Sequence, residues 1–485
     1  MYNAHRFALF VILVVFSIGY KAESIAQNVS GDYALVIWSE TSAYVQLVDP
    51  VSGTESGQIP LPVTNGAELT TASALSPDGT WIAYEVETRN PDLSIVYSIQ
   101  LYNLVTSETR SISLPTDSGI FHDRGIRWSQ DSQYIALNIL SRSSESYAYV
   151  YSIANDTLNF VSGSSNQTRR LVWSNGSDSI VGSAPLLEQD FIEIYDVQGY
   201  TTSSTFPLQT FPYRLIVACN QTWSPDDTQI AFAAGCIADG PVRPLETAVK
   251  ELHVLNTSQN SIERVTDYTV TARQQGVAYF EVFFYPHWVD NQTLLSGVVH
   301  FGDQTVRNVE TILHRLDTGI TSVIRPENIR NWVPNPIHPI VAYEAVGSYR
   351  VPVFEAENIT SQIGAFNFST QTLDTIYTFP GGCDLSWSLN GEKLAIVERV
   401  DISLCRLDAR NVIFAERATG MQQIYTVNQS VIDSALLVEP LGWVQTTTSG
   451  TAPSANAGLD QTVTDSDNSG SKKLVDFSKI QITLP

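Results

Sequence analysis

Beyond the first thirty or so residues, apolar and polar positions alternate in short runs separated by Gly, Pro, Asn and Asp, and helical spacing is almost absent. The stretch Tyr147-Ala148-Tyr149-Val150-Tyr151-Ser152-Ile153, then Asn155-Asp156, then Thr157-Leu158-Asn159-Phe160 is representative. It reads as a β-rich run, an Asx-type turn and a second run, which is the pattern of a hairpin. The chain is therefore predicted to be all-β.

One element recurs at near-regular intervals. It is an apolar run ending in Trp or Leu, a Ser-Pro-Asp-Gly-like turn, and a second run built on Ile-Ala-Phe. It reads Leu75-Ser76-Pro77-Asp78-Gly79 before Trp81-Ile82-Ala83-Tyr84, and Trp128-Ser129-Gln130-Asp131 before Tyr134-Ile135-Ala136-Leu137. It returns as Trp223-Ser224-Pro225-Asp226 before Ile230-Ala231-Phe232, and as Trp387-Ser388-Leu389-Asn390-Gly391 before Leu394-Ala395-Ile396. Pro presets φ at the second turn position, Asp accepts local backbone hydrogen bonds, and Gly takes positive φ. That chemistry makes Ser76, Asp78, Asp131 and Asp226 turn residues rather than catalytic ones. It places Trp128, Trp173, Trp223, Trp288, Trp387 and Trp443 in the packing between neighbouring sheets.

A repeat of this length signals a solenoid or a propeller. Third strands ending in Asp or Asn (Tyr195-Asp196, Leu255-Asn256, Leu316-Asp317) precede a tight turn and a fourth run, giving the four antiparallel strands of a propeller blade. Motif equivalents fall near Leu75, Trp128, Trp173, Trp223, Trp288, Val333, Trp387 and Trp443, which predicts eight blades, or seven if the degenerate copies at Trp173, Trp288 and Val333 mislead. Tyr33 to Trp38, Tyr44 to Val48 and Glu55 to Leu61 form three strands lacking an innermost partner. Leu436 to Val444 supplies one, so strands from both ends of the chain are predicted to close the ring without an open edge.

The Trp-Ser-Pro-Asp-Gly-x-x-Ile-Ala-Phe pattern resembles the WD40-like repeats of TolB-type β-propellers over residues 30–445. The same repeats occur in propellers of the dipeptidyl-peptidase IV and prolyl-oligopeptidase group. The resemblance implies the fold and is nearly silent on function, because the shared residues are those of turn and packing. Pro453-Ser454-Ala455-Asn456-Ala457-Gly458-Leu459-Asp460 resembles the opening strand of a PKD-type immunoglobulin-like domain. Residues 446–454 read as a linker and 455–485 as a truncated PKD-like or disordered tail.

His5 and Arg6, the apolar run Phe7 to Phe16, and Ser24-Ile25-Ala26 match the three regions of a secretory signal, so 1–26 are expected to be removed. No later stretch is apolar enough for a membrane span. The chain of 485 residues is 43% hydrophobic, only 16% charged, and carries a net charge of −23, which argues against nucleic acid as a partner. In an extracytoplasmic protein an even cysteine count favours bridges, and Cys219–Cys236 and Cys383–Cys405 each bracket one motif copy. Ten Asn-x-Ser/Thr sequons occur, at Asn28, Asn155, Asn166, Asn175, Asn220, Asn256, Asn291, Asn358, Asn367 and Asn428, in a chain rich in all three residue types.

The Gly-x-Ser-x-Gly nucleophile turn, His-Glu-x-x-His and the phosphate-binding glycine motifs do not occur in the sequence. No cofactor, metal site or catalytic residue is predicted. The expectation is a secreted or periplasmic monomer that binds a protein, peptide or glycan at one face of the ring. Recognition is expected on the longer excursions, Ile237 to Lys250, Thr269 to Phe280 and Val346 to Gln362. The alternatives are a carbohydrate-active enzyme with carboxylates at the channel mouth, and a cell-surface spacer or adhesion module.

Overall fold

The computed structural model describes residues 31–445 apart from short stretches between strands, the longest at 208–217, 235–250, 268–280, 347–360 and 400–408. The chain divides into two units, 1–446 and 447–485, and the described residues all belong to the first. Of the four cysteines predicted to form bridges, Cys236, Cys383 and Cys405 lie outside the described residues, and Cys219 stands in a strand opposite Ala233. The signal and tail assignments likewise lie outside the described residues.

The described residues form 33 strands and one short helix, arranged as eight antiparallel sheets. Blade 1 consists of Asp32–Trp38, Ala43–Asp49 and Thr54–Pro60, with Leu437–Val444 from the other end of the chain as its inner strand. Blades 2 to 8 follow in order over residues 67–113, 118–164, 169–207, 218–264, 281–325, 328–379 and 384–426. Within each, the strands are laid down from the inside outward. In blade 3 the inner strand is split into Ser118–Ile120 and Ile126–Trp128, both paired with Tyr134–Ser141. The expected eight-bladed propeller and its two-ended closure are thus observed. The helix Gln429–Ser434, capped by the Asn428 side chain, leads into the closing strand and has no counterpart among the predicted elements.

Side chains of each second strand alternate between two seams. Ile82 and Tyr84 pack against Ala34, Val36 and Val45 of blade 1, while Ala83 joins Trp128, Ile135 and Leu137 of blade 3. A strand buried on both faces reads as a continuous apolar run, which is why Ile-Ala-Phe follows the turn. The closing blade is fixed by an aromatic trio, with Tyr33 5.6 Å from Trp443 and 5.7 Å from Phe414, edge to face.

The tryptophans do more than fill space. Each one that ends an inner strand donates its indole N–H to a backbone carbonyl of the preceding blade, at the residue just before that blade's own Trp position. Trp128 donates to Ala74 (3.2 Å), Trp173 to Arg127 (2.9 Å), Trp223 to Val172 (3.1 Å), Trp288 to Thr222 (3.0 Å), Trp387 to Val333 (3.1 Å) and Trp443 to Ser386 (3.1 Å). Leu75 and Pro334 occupy the equivalent places in blades 2 and 7. There the seam is filled from the second strand, by Tyr84 and Tyr343, both fully buried.

The turns are joined as well. Ser76, Ser129, Ser174, Ser224 and Ser388 are all buried, and each hydroxyl accepts the backbone N–H of the residue five positions on, from Trp81, Tyr134, Ser179, Gln229 and Lys393 in turn. The residue at the left-handed turn position then reaches back to the previous blade. Ser132 (φ 60) accepts from Asp78 N, Ser177 (φ 62) from Asp131 N, and Asp227 (φ 58) from the N–H groups of Asn175 and Gly176. A side chain that gains this inter-blade bond offsets the cost of positive φ, otherwise about 1–2 kcal/mol.

Between blades 7 and 8 the arrangement is inverted. Asn335 Nδ2 donates forward to the carbonyl of Gly391, and a Cβ on Gly391 (φ +69) would lie 2.4 Å from Asn335 Oδ1. Gly420 has the same backbone conformation (φ +67), but a Cβ there would meet nothing within 4 Å. Replacing each by Ala separates strain from crowding. Gly420→Ala is expected to lose about 1 kcal/mol of unfolding free energy, and Gly391→Ala about 2 kcal/mol more, by urea titration. Equal losses would contradict the packing described at that seam.

Candidate binding face

Antiparallel order sends the first-to-second and third-to-fourth connections of every blade to one face, and the remaining connections to the other. The turn-to-turn bonds above hold the first set together in one plane. That face is made of short turns, many of whose polar groups are engaged in hydrogen bonds within or between turns. Asp226 shows how fully: partial burial pushes its carboxyl upward, but hydrogen bonds from Ser224 and Thr228 outweigh this and hold it below the ordinary Asp value. Glu392 is held low chiefly by the Arg417 guanidinium, which donates to both carboxylate oxygens at 3.0 and 3.1 Å, with His338 3.0 Å away. These are structural ion pairs and turn caps.

The opposite face carries the chain's long connections. The segments 208–217, 235–250, 268–280, 347–360 and 400–408 all depart from strand ends on that side, and all belong to blades 4 to 8. Connections on that side of blades 1 to 3 are shorter. The predicted recognition segments Ile237–Lys250 and Thr269–Phe280 lie outside the described residues, as does Val346–Gln362 except for its terminal strand residues.

What the structure adds is the anchor beneath two of them. Glu251, fully buried, follows directly on 235–250, and Thr266 stands just before 268–280. Thr266 Oγ1 donates to Glu251 Oε2 and accepts from Leu252 N at 3.1 Å, so the end of one excursion is tied to the start of the next. Beside them His253, also buried, stacks on Phe232 with ring centroids 5.5 Å apart and places Nδ1 3.0 Å from the Glu251 carbonyl oxygen. Burial lowers the His253 pKa from 6.5 to about 4, and that of His287 likewise to about 4. Both imidazoles are neutral near pH 7. Sequence reasoning missed this anchor because Glu251, His253 and Thr266 belong to no motif; a charged residue opening an apolar strand (Leu252–Asn256) was the one available signal.

Turn chemistry also accounts for several sequons. The Asn side chains at 175, 256, 291, 367 and 428 are engaged in turns, inter-turn bonds or the helix cap. Asn-x-Ser/Thr recurs in this chain partly because the blades keep reusing the same turn residues.

Among the described residues no group of three or more His, Cys, Asp or Glu is placed to hold a metal ion, and no helix is long and apolar enough to cross a membrane.

No protein-family model matches the chain, and no curated protein matches it. Among solved structures it is similar to the β-propeller domain of the Trilobed protease from Pyrococcus furiosus, at 14% identity and TM-score 0.44, covering 76% of this chain and 99% of that one. It is also similar to the acylaminoacyl peptidase of Pyrococcus horikoshii, at 12% identity and TM-score 0.44, covering 76% of this chain and 53% of that one. TolB from Acinetobacter baumannii aligns at 13% identity and TM-score 0.31, over 61% of this chain and 63% of that one. At these identities the likeness is one of fold, and the chain spans only part of the peptidase and of TolB.

Two outcomes test the anchor. Thr266→Val removes a donor from a buried carboxylate and is expected to cost about 1–3 kcal/mol in urea unfolding, with Thr266→Ser restoring most of it. For His253 the folded pKa is depressed, so its contribution is complete above the unfolded value of 6.5 and is lost as pH falls toward 4. The loss over that window is on the order of 3 kcal/mol, and it should be reduced in His253→Phe.

Proposed function

We propose that this chain is a non-catalytic, extracytoplasmic binding propeller, and that it presents the long-connection face of blades 4 to 8 to a protein, peptide or glycan. The observation that carries the reading is the asymmetry of the ring. One face consists of short turns, many of whose hydrogen-bonding groups are engaged within and between blades. On the other face the long connections are gathered on one arc, and two of them are tied together by Glu251 and Thr266. Rigid scaffolds carry recognition on such loops. Among the described residues at the anchor His253 is buried and neutral, and the motif serines, on the opposite face, are committed to turn bonds.

The extracytoplasmic assignment rests on the signal-like residues 1–26, and residues 446–485 are read as a linker and a PKD-like or unstructured tail. The net charge of −23 favours ligands that are neutral or basic.

The test is capture on peptide and glycan arrays by the full chain, beside a variant in which 237–250 is replaced by a short Gly/Ser turn. The expected result is at least about a tenfold loss of binding to captured ligands, close to 1.4 kcal/mol, with the melting temperature unchanged. Binding that survives this replacement, or turnover of an arrayed glycan, would oppose the proposal.

A further inference from the structure

The sequons are not equivalent in the folded chain. At the third-to-fourth turn of several blades an Asp or Asn caps the hairpin by accepting backbone N–H groups two or three residues on. Asp49 accepts from Val51 and Ser52, Asn103 from Val105 and Thr106, Asn256 from Gln259, and Asn367 from Ser369 and Thr370. Capping uses only the side-chain oxygen, so Asp and Asn serve alike. Nor does it need a hydroxyl two residues on, since Val51, Val105 and Gln198 stand there after Asp49, Asn103 and Asp196. Asn256 and Asn367 do have one, in Ser258 and Ser369. The turn accounts for the Asn; the sequon is an addition.

A backbone N–H can only donate, so each cap turns Oδ1 inward and Nδ2 outward. Among the described residues, Nδ2 of Asn256 and of Asn367 donates to no protein acceptor. Asn155 is exposed at the equivalent turn of blade 3, with Thr157 two residues on, and its amide group makes no hydrogen bond among them either. Asn175 is the contrary case. Its Nδ2 gives one hydrogen to the Ser224 carbonyl at 2.8 Å and the other to Asp227 Oδ1 at 2.9 Å, across the seam to blade 5. An N-linked sugar leaves Nδ2 a single hydrogen, so a glycan on Asn175 would break one of those bonds.

We propose that Asn155, Asn256 and Asn367, on the outer turns of blades 3, 5 and 7, carry N-linked glycans and that Asn175 does not. The donor is a lipid-diphosphate-linked oligosaccharide, delivered by a transferase of the export compartment. Nδ2 attacks its anomeric carbon; a C–N bond forms, the anomeric C–O bond breaks, the lipid diphosphate leaves and Nδ2 gives up one proton. All three acceptors stand on the face of the bonded turns, at its rim, so the glycans cover that face and leave the long connections open. In a chain only 16% charged they supply hydration that charged side chains give elsewhere. The inference rests on the extracytoplasmic reading, since donor and transferase are met on export.

Glycopeptide mass spectrometry of the chain recovered from the cells that naturally make it tests this. An oligosaccharide mass is expected on the peptides holding Asn155, Asn256 and Asn367, none on the peptide holding Asn175, together with loss of residues 1–26. Ser258→Ala made in the same cells keeps Asn256 but removes the sequon, and is expected to lose the glycan at Asn256 while keeping the other two. A processed chain bare at any of the three positions, or one with a glycan on Asn175, would overturn the inference and leave the binding proposal standing. A glycan that persists on Asn256 in Ser258→Ala would overturn sequon-directed transfer. An unprocessed and unmodified chain would overturn the extracytoplasmic reading and the inference with it.

Discussion

Most blades of this propeller are bound to the one before by a single recurring contact, the indole N–H of an inner-strand Trp donating to a carbonyl across the seam. The bond is worth only about 1 kcal/mol in net terms, but it is directional and is made where water is excluded. Burial of the same ring supplies the larger share, since truncating a buried Trp costs roughly 3–5 kcal/mol. Apolar packing pulls neighbouring blades together; the hydrogen bond fixes their height relative to one another. The turn bonds from Ser132, Ser177 and Asp227 can meet their targets only if that height is held. Closure by Tyr33 and Trp443 obeys the same rule, with Trp443 donating to Ser386 as any other inner-strand Trp would.

Much of this was legible in the chain because it depends on local chemistry. Ser-Pro-Asp-Gly is a turn by itself, and the period of its recurrence gives the blade. The orphan strands at the two ends could be matched by counting. Less was legible where a residue acts across a seam. Ser132 and Ser177 take positive φ, which the sequence does not announce, and their bonds to the neighbouring turn explain them. The copy near Val333 reads as degenerate, and the position equivalent to the other inner-strand tryptophans holds Pro334, which has no indole to offer blade 6. The Glu251–Thr266 tie joins residues fifteen apart whose partnership no periodicity announces.

Departures from the repeat, rather than the repeat, give this ring its individuality. The motif's Ser and Asp are consumed in building turns. The long connections fall in blades 4 to 8, on the face opposite the bonded turns. Binding loops are drawn from the less stable parts of a fold, because a site that must adapt cannot be locked by every available bond.

The central claim, that six tryptophans lock the ring through their indole N–H groups, is tested most directly by solvent exchange of the indole protons in nitrogen-15-labelled protein. Nine tryptophans are present, so each indole signal can be assigned by single Trp→Phe replacement. Slow exchange is predicted for Trp128, Trp173, Trp223, Trp288, Trp387 and Trp443, and rapid exchange for the half-buried Trp38. Exchange at Trp387 and Trp443 as fast as at Trp38 would contradict the account.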